Sequence, residues 1–101
     1  MTLSDFTDSE YLDLLPGGLL VPHYLLLSFC YYSCEESLVP DHVFDQLARR
    51  LDVEWDAVQH MHKRLIDRAA LKSGGSYLRG RYPMRVKQAA ALLLGRPVFD
   101  R

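Results

Sequence analysis

The sequence predicts a small all-α domain, a single bundle of four or five helices. Three observations predict it. Apolar residues recur at spacings of three and four, as in Val43, Phe44, Leu47, Ala48 and Leu51, and no stretch shows convincing strand alternation. Prolines and glycines stand near the edges of these periodic stretches, where helices start and stop. The 101 residues, 49% hydrophobic and 25% charged, suit one modest core spanning the whole chain.

The elements follow in order. Thr7-Asp8-Ser9-Glu10 has the capping-box pattern and precedes Tyr11, Leu12, Leu14 and Leu15, so a short helical turn is expected over residues 7–15. Pro16-Gly17-Gly18 ends it. A second helix starts near Pro22 and runs to about Cys34. It is apolar on nearly every face and is therefore expected to be central and buried. A third starts around Pro40-Asp41, with Asp41 and Asp45 early and Arg49 and Arg50 late, an order that suits the helix dipole. Asp52 is expected to cap a fourth, with Trp55, Val58, Met61, His62 and Leu65 on one broad face. Asp67 caps a short turn ending at Ser73-Gly74-Gly75. Residues 74–82 are irregular, with a small hairpin over residues 75–81 as the alternative. Pro83 opens the last helix, Met84 to Leu94, and Gly95 with Pro97 closes it.

The net charge of −1 conceals a division. Residues 1–56 hold eleven acids and two bases, and residues 57–101 hold ten bases and two acids. The basic part, residues 52–101, is expected to supply the C-terminal helices. The two cysteines, Cys30 and Cys34, lie four apart on one predicted helix, a poor geometry for bridging them to each other. A reducing, cytoplasmic setting is the expectation. The acidic start lacks the basic opening of a signal peptide. The most apolar stretch, residues 14–32, is interrupted by Pro16, Gly17, Gly18 and Pro22, against a membrane span of about 20 apolar residues.

One segment is more specific than this general pattern. Tyr31-Tyr32 leads at a fixed distance into Val39-Pro40-Asp41-His42-Val43-Phe44-Asp45-Gln46-Leu47. Residues 22–51 resemble domain Ia, the helical cap of NAD-dependent DNA ligases, where a Tyr-rich helix end precedes an Ile-[Ser/Pro]-Asp-x-x-Tyr-Asp-x-Leu stretch. The match has no gap, and Val39 stands in the Ile position. The rest of the chain does not match a ligase and looks like the small stand-alone ligase-like proteins often encoded by bacteriophages.

The resemblance implies a cap that grips the nicotinamide mononucleotide half of NAD. Tyr31 matches the family tyrosine that stacks near the nicotinamide, and Asp41 and Asp45 match the two aspartates that contact that half of the cofactor. Tyr32 stands where the family has histidine, and Phe44 where it has tyrosine. Those changes keep two aromatic faces. They remove a group that can be cationic near neutral pH and a hydroxyl donor. A pocket of this kind would receive a ribose and a cationic pyridinium ring, so NAD or nicotinamide mononucleotide is the cofactor implied, though none is required.

Ligation needs a lysine in a Lys-x-Asp-Gly motif, and Lys63, Lys72 and Lys87 all lack that context. No nucleophile, base and oxyanion donor assemble from the sequence, so no enzyme is expected. Ser28 and Ser33 lack a nucleophile elbow. Glu35 and Glu36 beside Cys34 disfavour a reactive thiolate. His60 and His62, two apart on a predicted helix, fall on different faces and make a poor metal site.

Outside the resemblance the plain readings compete with the functional ones. Asp41 and Asp45, one turn apart, also serve simply as dipole partners. Tyr24, Phe29, Tyr31 and Tyr32 also serve as core. Arg79, Arg81, Arg85 and Lys87, interleaved with glycines and tyrosines, suit either a nucleic-acid backbone or an acidic surface. Three functions are therefore expected in order: a non-catalytic cap-like binding module, a phage-encoded interaction module or inhibitor acting on a host enzyme through its charged faces, and a nucleic-acid binder.

Overall fold

The structure, a computed structural model, describes residues 15–74 and 76–99. Among them are three α-helices and four short 3-10 turns, with no strand. The all-α class is as expected, with fewer helices than the four or five predicted. The expected N-terminal turn lies outside the described residues except for Leu15, which is buried.

The first helix, α1, spans Leu20–Tyr32 and follows directly on a 3-10 turn over Gly17–Leu19. Pro22 is its third residue, where the N–H has no intrahelical partner and its loss costs little. Ten of its thirteen residues are buried, including Tyr24, Phe29 and Cys30. An apolar surface on nearly all sides can be satisfied only by neighbours on nearly all sides. The second helix, α2, spans Asp41–Val53 and buries one stripe, Val43, Leu47, Ala48 and Leu51. The third, α3, spans Met84–Leu94 and buries Val86 and Ala90. Both pack against α1.

The boundaries of α2 and α3 have local causes. Pro40 precedes the first turn of α2, and Pro83 that of α3. Gly95 ends α3 at φ 68°, a left-handed conformation that glycine adopts without penalty, and donates its N–H to the Ala91 carbonyl. No helix of the described residues is long and apolar enough to cross a membrane.

Residues 54–66 are a correction. The helix expected from Asp52 onward does not form, and α2 ends at Val53 with Glu54 as its C-cap. The chain proceeds through turns to a 3-10 turn at Lys63–Leu65. Long-range ties replace the helical ladder. Lys63 donates its ammonium to the Trp55 carbonyl and lies 4.7 Å above the Trp55 ring. Arg68 reaches back to Asp52, bonding its carboxylate at 2.8 Å and its carbonyl at 3.1 Å. These contacts close an excursion that lets Val58, Ile66 and Leu71 reach the core singly while Met61 faces outward, 72% exposed. The regular apolar spacing here is filled by tertiary contact rather than by one helix face. The expected cap at Asp67 forms, its side chain accepting from the Ala69 N–H and opening a 3-10 turn over Arg68–Lys72. In place of the alternative hairpin, Ser76–Leu78 forms another 3-10 turn.

The core is polar at several points, Ser33 among them. Ser28 Oγ and the Tyr82 hydroxyl lie 2.9 Å apart inside it, next to the edge-to-face pair of Phe29 and Tyr82 at 5.0 Å. That bond joins α1 to the residue just before Pro83 and fixes the entry to α3. His23, also buried, donates from Nδ1 to the Leu19 carbonyl at 2.9 Å.

Two predictions follow from this packing. Phe29→Ala removes a wholly buried ring and should cost about 3–5 kcal/mol in chemical denaturation. A loss below about 1 kcal/mol would mean that the helix is not central. Burial holds the His23 imidazole below its ordinary value of 6.5, and the Leu19 hydrogen bond only partly opposes it. The unfolded chain therefore binds a proton first as pH falls through 6.5, so stability should decline from there toward the lower folded-state value. Melting temperatures should drop between about pH 7.5 and pH 5, and His23→Gln should flatten that slope.

Candidate functional site

The last turn of α1 is where that helix leaves the core. Tyr31 is 47% exposed, Tyr32 is half-buried, and their rings meet edge to face at 4.8 Å. Beyond them Glu35 takes the left-handed conformation at φ 59°, and the Glu36 N–H closes on the Cys30 carbonyl at 2.8 Å. Two arginines from late in the chain finish this helix end. Arg79 donates to the Tyr32 carbonyl at 3.0 Å, and Arg96 donates to the Cys34 carbonyl and the Glu36 carboxylate, each at 3.2 Å. The following loop is held by Ser37, whose hydroxyl donates to the Val39 carbonyl at 2.9 Å. Pro40 then starts α2 beside Tyr31 and Tyr32.

A cavity of about 280 Å³ opens at this junction. Tyr31, Tyr32, Asp41, Phe44 and Asp45, the five residues singled out from the sequence, all line it. Phe44 is set in place by stacking on buried Tyr24, with ring centroids 5.3 Å apart. Asp41 and Asp45 lie one turn apart on the exposed face of α2, and neither has an ion-pair partner among the described residues. The chemistry on offer is two acceptor carboxylates beside aromatic rings, suited to hydroxyl donors and to a flat or cationic group.

The sequence reading missed one wall. Leu71, Lys72, Ser73 and Gly74 close the cavity from the far side. Gly74 has φ +104°, and a Cβ there would collide with the Tyr32 hydroxyl. Any side chain at this position would therefore require Tyr32 to move. The only local signal was the Ser-Gly-Gly turn, and nothing in it indicated which helix the turn would meet.

The basic quartet is not gathered into one cavity. Arg79 is tied to the end of α1, Arg81 is exposed, and Lys87 is half-buried on α3. Arg85 lines a separate, mostly apolar cavity of about 290 Å³ between α1 and α3, with His23, His60, His62 and Met61. The rings of His60 and His62 lie 5.4 Å apart, both outside any helix. Among the described residues no group of three His, Cys, Asp or Glu is arranged to hold a metal ion. Cys30 and Cys34 are unbridged, and burial pushes the Cys30 thiol up to about 12. Ser28 and Ser33 are both buried.

The charge division is met partly within the chain. Arg68 pairs with Asp52 at 2.8 Å and Arg96 with Glu36 at 3.2 Å, each joining the basic half to the acidic half.

Gly74→Ala should destabilise the fold by about 1–3 kcal/mol through the positive φ. It should also displace Tyr32, visible as chemical-shift changes at Tyr31 and Asp45 across the cavity. An unchanged melting temperature would show that the far wall is not held against Tyr32. No protein-family model, no curated protein and no solved structure matches the chain.

Proposed function

We propose that this chain is a non-catalytic helical binding module, related to the cap domain of NAD-dependent DNA ligases, whose cleft takes a nicotinamide nucleotide. One observation carries the reading. Five residues drawn from a 15-residue stretch by resemblance alone line one cavity, together with a wall from elsewhere in the chain. In this reading the pyridinium ring lies against Tyr31 and Phe44, where the ring faces attract a cation. Asp41 and Asp45 accept from the ribose hydroxyls. Phe44 and Tyr32, in place of the tyrosine and histidine of the resemblance, weaken the grip without removing the stacking surface. The sequence has no Lys-x-Asp-Gly motif, so the module binds without ligating.

The competing readings have less support. An interaction module acting through its charged faces loses two of its bases to Asp52 and Glu36 of its own acidic half. A nucleic-acid binder would need Arg79, Arg81, Arg85 and Lys87 along one track, and Arg79 is committed to the α1 terminus while Arg85 borders a separate cavity.

Calorimetric titration with nicotinamide mononucleotide and NAD should give saturable binding. Asp41→Ala and Asp45→Ala should each weaken it about tenfold or more, the size of a hydrogen bond to a charged group. Flat heats with both nucleotides at millimolar concentration would overturn the proposal.

A further inference from the structure

The cleft does not end at Asp45. A second cavity of about 330 Å³ adjoins it, and Asp45, Leu71 and Lys72 line both. Arg49 and Asp52 belong to the second cavity. Asp41, Asp45 and Arg49 are four apart in sequence, so they form one stripe along α2, each about 6 Å further along its axis. The stripe changes sign along its length. Its first two members are carboxylates beside the aromatic rings. Its third is a guanidinium, and Lys72 faces the stripe from across the cavity at the point of change.

The local ion pairs sharpen this polarity. Asp52, the one acid lining the second cavity beyond Asp45, is bonded to Arg68 at 2.8 Å. Lys72 and Arg49 have no ion-pair partner among the described residues, and neither do Asp41 and Asp45. Two carboxylates and two cations thus line two adjoining cavities without pairing with each other. A ligand that answers both ends carries hydroxyl or cationic groups at one end and an anion at the other.

We infer that Lys72 and Arg49 form a phosphate-binding end of the cleft, so that the module selects a phosphorylated nucleoside over the free nucleoside. The inference rests on the nucleotide reading and deepens it, because neither residue belongs to the segment that carried the resemblance. The chemistry is direct. Lys presents a point charge to phosphate, and Arg presents a planar fork that bonds two oxygens at once. Both side chains are exposed, so their contribution falls as salt rises.

The test compares nicotinamide mononucleotide with nicotinamide riboside, which lacks only the phosphate, and adds inorganic phosphate as a separate probe. Wild-type protein should bind the mononucleotide about tenfold or more tightly than the riboside, the effect of one charge-assisted bond. Lys72→Gln and Arg49→Gln should each erase most of that preference, Arg49→Gln with riboside affinity unchanged, while Lys72→Arg should retain it. Inorganic phosphate should shift the amide resonances of residues 49 and 72 in the wild type, and added salt should reverse the shift. Equal binding of riboside and mononucleotide by wild type, or a preference that survives both glutamine variants, would overturn the phosphate end and leave the nucleotide reading standing. Saturable phosphate shifts at residues 49 and 72 with no binding of either nicotinamide compound would uphold the phosphate end and overturn the nucleotide reading. No response to any of the three probes would overturn both.

Discussion

The structure depends on one constraint: α1 is apolar on almost every side. A helix with a single apolar stripe can rest on one neighbour, but this one must be enclosed. Each fully buried Leu or Phe side chain on it contributes about 1.5–3 kcal/mol relative to exposure, and ten of the thirteen residues are buried. In 101 residues there is little material to enclose it with. The other two helices cover two sides. The remainder is covered by turns, which explains why residues 54–82 place Val58, Ile66, Leu71, Leu78 and Tyr82 into the core one at a time. Irregular chain follows a curved surface more closely than a further straight helix would.

That enclosure also decides where a site can be. The covering is complete along the body of α1 and stops at its last turn, where Tyr31 emerges. α2 begins beside that turn because only a short loop separates them, and the loop is held by Ser37 and by the buried side chain of Val39. The cleft is therefore the place where the wrapping ends. Its walls are the end of one helix, the start of the next and a turn that returns from far along the chain. Arg79 and Arg96, which bond the carbonyls at this helix end, strengthen the same corner from the basic half.

The charge division has a local counterpart at this corner. Part of it is internal, through Arg68 and Arg96. Near the cleft it is left open, with Asp41, Asp45 and Arg49 along one stripe of α2 and Lys72 across from them. Opposite charges that line adjoining cavities without pairing present a polarity to whatever enters. Structural pairs such as Arg50 with Glu54, at 2.6 Å across the C-terminal end of α2, present none.

Much of this was legible in the sequence by itself. Pro40 and Pro83 fix φ whatever surrounds them, and Gly95 permits the left-handed turn that ends a helix, so the limits of α2 and α3 were read close to where they lie. The all-round apolar character of the helix expected from Pro22 to about Cys34 marked the buried helix, and the family resemblance, not the spacing alone, grouped Tyr31, Tyr32, Asp41, Phe44 and Asp45, five residues that do line one cavity. Tertiary structure alone decided the rest. Residues 54–66 carry helical spacing, yet contacts from Arg68 to Asp52 and from Lys63 to Trp55 hold them as turns, and no local pattern reveals a contact sixteen residues away. The far wall at Lys72 and Gly74 was hidden for the same reason. Periodicity reports which face of a segment seeks cover, but which segment supplies that cover is set by the packing of the whole chain.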